Sequence, residues 1–222
     1  VRAVSGLPSV MVAQAWLHKP GVASLLESYL DFGFVRGIRH KPAAAPSPSD
    51  VRPGAPESMG DPAFRRGYEQ LARRGLSYDL QTPWWHLGEA ADLAKAFPDV
   101  PLILNHTGLP SDRSAEGLKG WREAMQKLAA EPNTAVKISG LGLTGPEGAY
   151  WDLDKNAAIV RETIAIFGVD RCMFASNFPV DSLAASFDTI FGGFATITAE
   201  LGSADQAKLF RDNARRIYRI AP

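Results

Sequence analysis

Cysteine is nearly absent. Cys172 is the single one in 222 residues, so no internal disulfide can form and a reducing cytosol is the expected compartment. Charge of either sign is not in excess. Lys plus Arg and Asp plus Glu both count 24, which argues against a dedicated nucleic-acid binder, since that needs a basic stripe. No apolar run approaches membrane-spanning length, so no membrane partner is expected. There is no basic start followed by an apolar segment and a cleavage site, so no signal peptide is expected. No initiator methionine is present; the chain opens at Val1 and soon reaches an apolar run, so further chain is expected upstream. Also lacking are a G-x-S-x-G elbow, an H-E-x-x-H pair and a cysteine with a suitable partner set. For a hydrolase these absences leave activated water as the default, rather than a covalent nucleophile. A Gly-rich phosphate loop follows none of the candidate strands, which weakens a nucleotide-binding reading.

What is present is an alternation of short apolar runs with amphipathic stretches. The candidate strands are Val10–Leu17, Phe34–His40, Leu76–Gln81, Val100–His106, Ala135–Leu141 and Arg171–Asn177. Several are nearly continuous in Val, Ile, Leu and Phe, as strands buried on both faces should be. Between them lie helices. Asp61-Pro62 is an N-cap followed by Pro at the first helical position, with Phe64, Tyr68, Leu71 and Ala72 on one face and Gly75 as the stop. Leu87, Ala90, Ala91, Ala94 and Phe97 repeat the pattern up to Pro98. Further stripes are Leu118, Trp121, Met125 and Leu128; then Ala157, Val160, Ile164 and Phe167 up to Gly168; then Phe187, Ile190, Phe191 and Phe194. A capping box of Ser203 and Gln206 opens a last helix that should bury Ala207, Phe210, Ala214 and Ile217.

Six strands, each followed by a helix or helical turn, predict a parallel sheet, either doubly wound or barrel-shaped. Nearly every strand ends in polar or ionisable residues, and in a barrel those ends converge on one mouth where active sites sit. Residues 1–222 read as one barrel domain. Residues 41–58 carry five prolines and read as a loop, either plainly solvated or a lid over the mouth.

His106 closes the run Leu102-Ile103-Leu104-Asn105. At a barrel mouth its ring can ligate a metal, polarise a carbonyl, or serve structure alone. Arg39 and His40 end their strand on opposite faces; Arg39 can clamp a substrate carboxylate or pair with a structural acid. Lys137 and Ser139 share a face, and a lysine inside a barrel requires an anionic partner, from substrate or from protein. Gln81 ends its strand and is followed by Trp84, Trp85 and His86, which read as a wall for a ring-shaped ligand or as an apolar plug. Asn177 and Asp181 bracket the turn Phe178-Pro179-Val180. Asp181 is a general base if the turn folds it back over the mouth, and the cap of the following helix otherwise; the cap is the slightly favoured reading.

The segments VRGIRH, MGDPAFRRGYEQLARRGLSYDLQTPWWHL, LILNHTGLPSDRS, GWREAMQKLAAEPNTAVKISGLG, DRCMFASNFPVD and LFRDNARRIYRI together resemble the amidohydrolase-related (amidohydrolase 2) family. The nearest branch resembles the sugar-lactone and 2-pyrone-4,6-dicarboxylate lactonases. The resemblance implies an α/β fold of the (β/α)8 TIM-barrel type and hydrolysis of a lactone or similar cyclic ester, carboxylated or sugar-derived, by activated water. Against that pattern the chain begins at the third strand, so an incomplete barrel is expected, without the first two strands and their H-x-H pair. His106 matches the family's N-H-x-G histidine, and Arg39 matches a position that holds substrate carboxylate.

One departure matters. The family's last strand ends in G-S/T-D, whose Asp activates water, whereas this chain reads Ala175-Ser176-Asn177. Either Asp181 substitutes, or Asn177 only orients water, or the chemistry differs. No cofactor is assigned; the alternative is one divalent, zinc-like metal in the full-length protein. His106, Asn177 and Asp181 are the catalytic candidates. Arg39, His40, Gln81, His86, Lys137 and Ser139 are the substrate-binding candidates. The expected partner is a small-molecule substrate, and the oligomeric state is left open. The alternatives are a decarboxylase-like activity on the same scaffold and a binding barrel that has lost its base.

Overall fold

The computed structural model describes residues 7–221. Six strands form one parallel sheet in sequence order. They are β1 (Met11–Gln14), β2 (Val35–His40), β3 (Ser77–Leu80), β4 (Leu102–Leu104), β5 (Thr134–Ile138) and, past a short antiparallel hairpin of β6 (Leu143–Gly145) and β7 (Gly148–Tyr150), β8 (Cys172–Phe174). Each strand of the sheet lies inside or within a residue of its expected run. Among the described residues β1 and β8 pair on one side only, so the barrel is open, as expected for an incomplete one. The polar residues expected at strand ends fall at or just past the last paired positions of the ladder. Gln81, Asn105, Ser139 and Asn177 therefore belong to the loops at one rim.

The helices are α1 (Val22–Leu30), α2 (Pro62–Ala72), α3 (Leu87–Ala96), α4 (Ala115–Ala129), α5 (Leu153–Phe167), α6 (Phe187–Ile197), α7 (Ser203–Ala207) and α8 (Asn213–Ile217). Asp61 caps α2, its carboxylate accepting from Ala63 N at 2.7 Å. Gly67 on the inner side of α2 lies so close to the carbonyl of Leu17 that a Cβ there would collide with backbone. That contact fixes α2 against the chain leaving β1.

Alternation along the strands separates two apolar layers. Tyr78, Leu80, Leu102, Leu104, Val136, Ile138, Cys172 and Phe174 face the helices in the main core. Ile103, Ala135 and Met173 face the other way, into a smaller cluster closed by Tyr218. The register aligns Arg39 with Asp79, Asp79 with Ile103, and Ile103 with Ala135, one inward layer of the kind that fills a barrel.

Three local features differ from expectation. The β6–β7 hairpin is not among the expected elements, its strands being three residues each, too short for periodicity to register; α1 is the helix expected after the first strand, and it buries only Leu26. The expected capping box at Ser203 does not form. Gly202 is the N-cap, and the Gln206 amide instead donates to the carbonyls of Thr198 and Leu201, closing the end of α6. A π turn at Lys208–Asp212 then adds a residue to the helical repeat and rotates the buried face. Leu209, Asn213 and Tyr218 take the buried places, while Phe210, Ala214 and Ile217 are only partly covered.

Candidate active site at the strand ends

The loop after β4 has an unusual backbone. His106, Thr107, Gly108 and Leu109 all have positive φ, at 56°, 51°, 70° and 54°. Three of these are non-glycine residues, and such strain persists only where surrounding structure imposes it. Here the buried Trp121 does so, its indole N–H donating to Thr107 O at 2.7 Å. The result interrupts the strand's alternation and turns the His106 ring into the rim.

His106 is held at both nitrogens. Its Nε2 lies 3.1 Å from Nη2 of Arg39 and its Nδ1 lies 2.9 Å from Oγ of Ser139. Arginine can only donate, so Nε2 carries the lone pair, and Nδ1–H donates to Ser139. Burial, followed by the charges of Arg39, Lys137 and Lys41, holds the ring down at about 4, so it is neutral near neutral pH. Arg39 also donates to Gln81 Oε1. Four expected residues, Arg39, Gln81, His106 and Ser139, thus meet in one hydrogen-bonded chain. Arg39 makes no ion pair among the described residues, although Asp79 is its register neighbour.

Asp181 does not cap α6. Ser186 does, accepting from Thr189 N at 3.1 Å. The Asp181 carboxylate instead accepts from Asn177 Nδ2 at 2.8 Å and from the backbone N–H groups of Gly140 and Gly142. The favoured cap reading is therefore corrected. Asn177, at φ 56°, is the left-handed residue that redirects the chain after β8 and brings the acid back. Burial raises the Asp181 carboxyl above its ordinary value, and the Asn177 and backbone hydrogen bonds oppose that rise. Gly140, at φ 64°, joins the two clusters. A Cβ on it would lie 2.8 Å from His106 Cβ and 2.9 Å from His106 Nδ1, so only glycine lets this strand end pass the imidazole.

The other expected ligands have different partners. Lys137 donates to Asp79, which also accepts from Tyr218 OH at 2.9 and 3.1 Å. It satisfies a structural acid, as buried charges must. His40 faces the helix layer, stacked on Phe64 with centroids 5.5 Å apart. His86 accepts from Ala45 N at 2.8 Å, and Trp85 donates to Ala45 O at 2.9 Å, so both fasten the 41–58 loop. Trp84 packs on Gly120 of α4. Sequence reasoning missed Gly140 and Gly142 as donors, although two glycines just after a strand end are a recognisable signal of close backbone approach.

A divalent metal does not fit this donor set. Among the described residues no three His, Cys, Asp or Glu side chains converge, and the guanidinium of Arg39 occupies the lone-pair side of His106.

The chain is 43% identical over 215 residues to the uncharacterized protein y4mH of Sinorhizobium fredii, covering 97% of this chain and 71% of that one. It is 30% identical over 199 residues to an L-fucono-1,5-lactonase of Burkholderia multivorans, covering 84% of this chain and 63% of that protein. A crystal structure of an amidohydrolase from Burkholderia multivorans with bound zinc superposes with a TM-score of 0.82 at 24% identity, covering 99% of this chain and 76% of that one. Among the described residues no helix is long and apolar enough to cross a membrane. The amidohydrolase family model matches residues 6–220, and the chain belongs to the amidohydrolase family of hydrolases.

Proposed function

We propose that this chain carries the acid–base and charge-stabilising groups of a lactone hydrolase acting on a small, carboxylated or sugar-derived cyclic ester. The observation that carries the reading is the Asp181 carboxylate, held by Asn177 and two backbone N–H groups, one of them from the glycine packed on His106. The L-fucono-1,5-lactonase relative supports the substrate class.

In this reading Asp181 is the general base. It takes a proton from water as the oxygen attacks the lactone carbonyl carbon. Charge develops on the carbonyl oxygen, and the Arg39 guanidinium is the cation that meets it. His106 does not donate to that oxygen from Nε2, because that nitrogen carries the lone pair; it aims Arg39 instead. This differs from the expected polarising role of His106, and the reason is the tautomer. Collapse of the tetrahedral intermediate breaks the bond to the ring oxygen, which receives the proton held by Asp181. Lactone and water become one hydroxy acid, with no proton left over. The 41–58 loop, fastened by Trp85 and His86, acts as a lid over this rim.

The test is hydrolysis by the full-length protein of a panel of aldonolactones and carboxylated lactones, followed by acid release with a pH indicator. Turnover of at least one supports the reading. Ligand binding without turnover would leave a binding barrel, and carbon dioxide release from a carboxylated substrate would leave a decarboxylase.

A further inference from the structure

A carboxylate remote from the scissile ester is not served by the cations of the strands. Lys137 is committed to Asp79, and Arg39, held by Gln81 and His106, is the cation assigned to the ester carbonyl. A cavity of about 570 Å³ opens between the loop after β4 and the β6–β7 hairpin. Gly140 and Gly142 line it, the same residues whose N–H groups hold Asp181, so that backbone separates it from the candidate catalytic groups. Its size suits a small organic ligand.

The cavity is cationic. Arg113 and Lys155 line it, together with Thr144 and Tyr150, and no Asp or Glu does. Arg113 makes no ion pair among the described residues. Its Nε is buried without a hydrogen-bond partner there, and its Nη1 has only the carbonyl of Lys155 at 3.3 Å. A partly buried guanidinium without an ion-pair partner is costly unless an anion completes it. Lys155 Nζ is held to Tyr150 OH at 3.1 Å, which keeps its charge at the hairpin wall. Two cations thus meet at one wall, brought there by α5, the loop after β4 and a hairpin that periodicity did not reveal.

We propose that Arg113 and Lys155 form a carboxylate-binding subsite that receives the end of the substrate remote from the scissile ester. This rests on the hydrolase reading for the word substrate, but the subsite itself can be tested by binding alone. Arg113 supplies a guanidinium charge whose one hydrogen bond is to a carbonyl rather than an acid, and Lys155 a second point charge. A neutral sugar lactone would gain neither contact. Arg113 and Lys155 are accordingly specificity-determining residues.

The full-length protein is titrated calorimetrically with tricarballylate, a non-reacting tricarboxylate, and with a neutral polyol of similar size. Tricarballylate is expected to bind, and Arg113→Gln to weaken it roughly 10- to 100-fold, with Arg113→Lys restoring part of the loss. Lys155→Gln should weaken it less. Lys155 is exposed, so this variant decides the matter even if Arg113→Gln fails to fold. Arg211→Gln, on an exposed pair with Asp212, should leave binding as it was. In turnover, the ratio of kcat/KM for a carboxylated lactone over a neutral one should fall by the same factor in Arg113→Gln. Tricarballylate binding that depends on Arg113 in a protein that hydrolyses no lactone would remove the hydrolase reading and keep the subsite. Absence of tricarballylate binding, or binding and selectivity unchanged in Arg113→Gln and Lys155→Gln, would overturn the subsite whatever the turnover.

Discussion

Arg39 Nη2 sits 3.1 Å from His106 Nε2, a cation held on the lone pair of a neutral imidazole. The pair sets the tautomer of His106 and aims the guanidinium at the rim. Replacing Arg39 by Gln should lower kcat by roughly 100- to 1,000-fold, the usual loss when one donor to a developing oxyanion is removed. Nitrogen NMR of the ring should show Nε2 unprotonated in the parent protein. A protonated Nε2 there would transfer the polarising role back to His106.

Asp181→Asn should reduce turnover roughly 100- to 10,000-fold, the range of a general base. Because burial raises this carboxyl, the acid limb of the kcat/KM profile should lie above the ordinary carboxylate range. Asn177→Asp would set a second carboxylate at the position that now donates to Asp181, raising Asp181 further. Activity should survive at higher pH with the acid limb displaced upward. A limb that stays in place in Asn177→Asp would exclude Asp181 as its source.

His106 is held at about 4, below its unfolded value near 6.5. Between those two pH values the unfolded chain binds the proton and the folded chain does not, so stability falls as pH drops from 6.5 toward 4. The contribution lost is on the order of 3 kcal/mol. His40, also lowered to about 4, mainly by burial, acts with the same sign. Urea unfolding followed across this range should show a shallower fall in His106→Asn than in the parent, and an identical slope would refute the assignment.

Lys137→Met should destabilise the fold by about 3–5 kcal/mol, because it strands the charge of Asp79 in a site 1% exposed. Lys137→Met combined with Asp79→Leu should recover much of that loss, since an apolar replacement of both partners removes the stranded charge. Chemical denaturation of the two variants distinguishes this structural pairing from a substrate-binding lysine, whose removal would leave stability near the parent value.

Strand order, the polar rim and most helix faces were legible from the sequence because each is a property of contiguous residues. Val, Ile and Leu runs of strand length, Asp61-Pro62 before an apolar stripe, and Asn105-His106 at a strand end carry their meaning locally. The tertiary structure alone decided which of the rim residues meet. Lys137 and Asp79 are 58 positions apart and Asp79 and Tyr218 are 139 apart, so no local pattern could tell that this lysine was already neutralised from inside the barrel. Asp181 was legible as an acid after a turn, but its direction depended on the left-handed Asn177 and on two glycine N–H groups from another strand end. The buried face of the last helical segment depended on a π turn, which shifts the helical repeat by one residue and has no compositional mark. Periodicity records which side of an element is buried. Pairing of charges across the barrel depends on register and on how the loops close, and those are settled only when all the strands pack together.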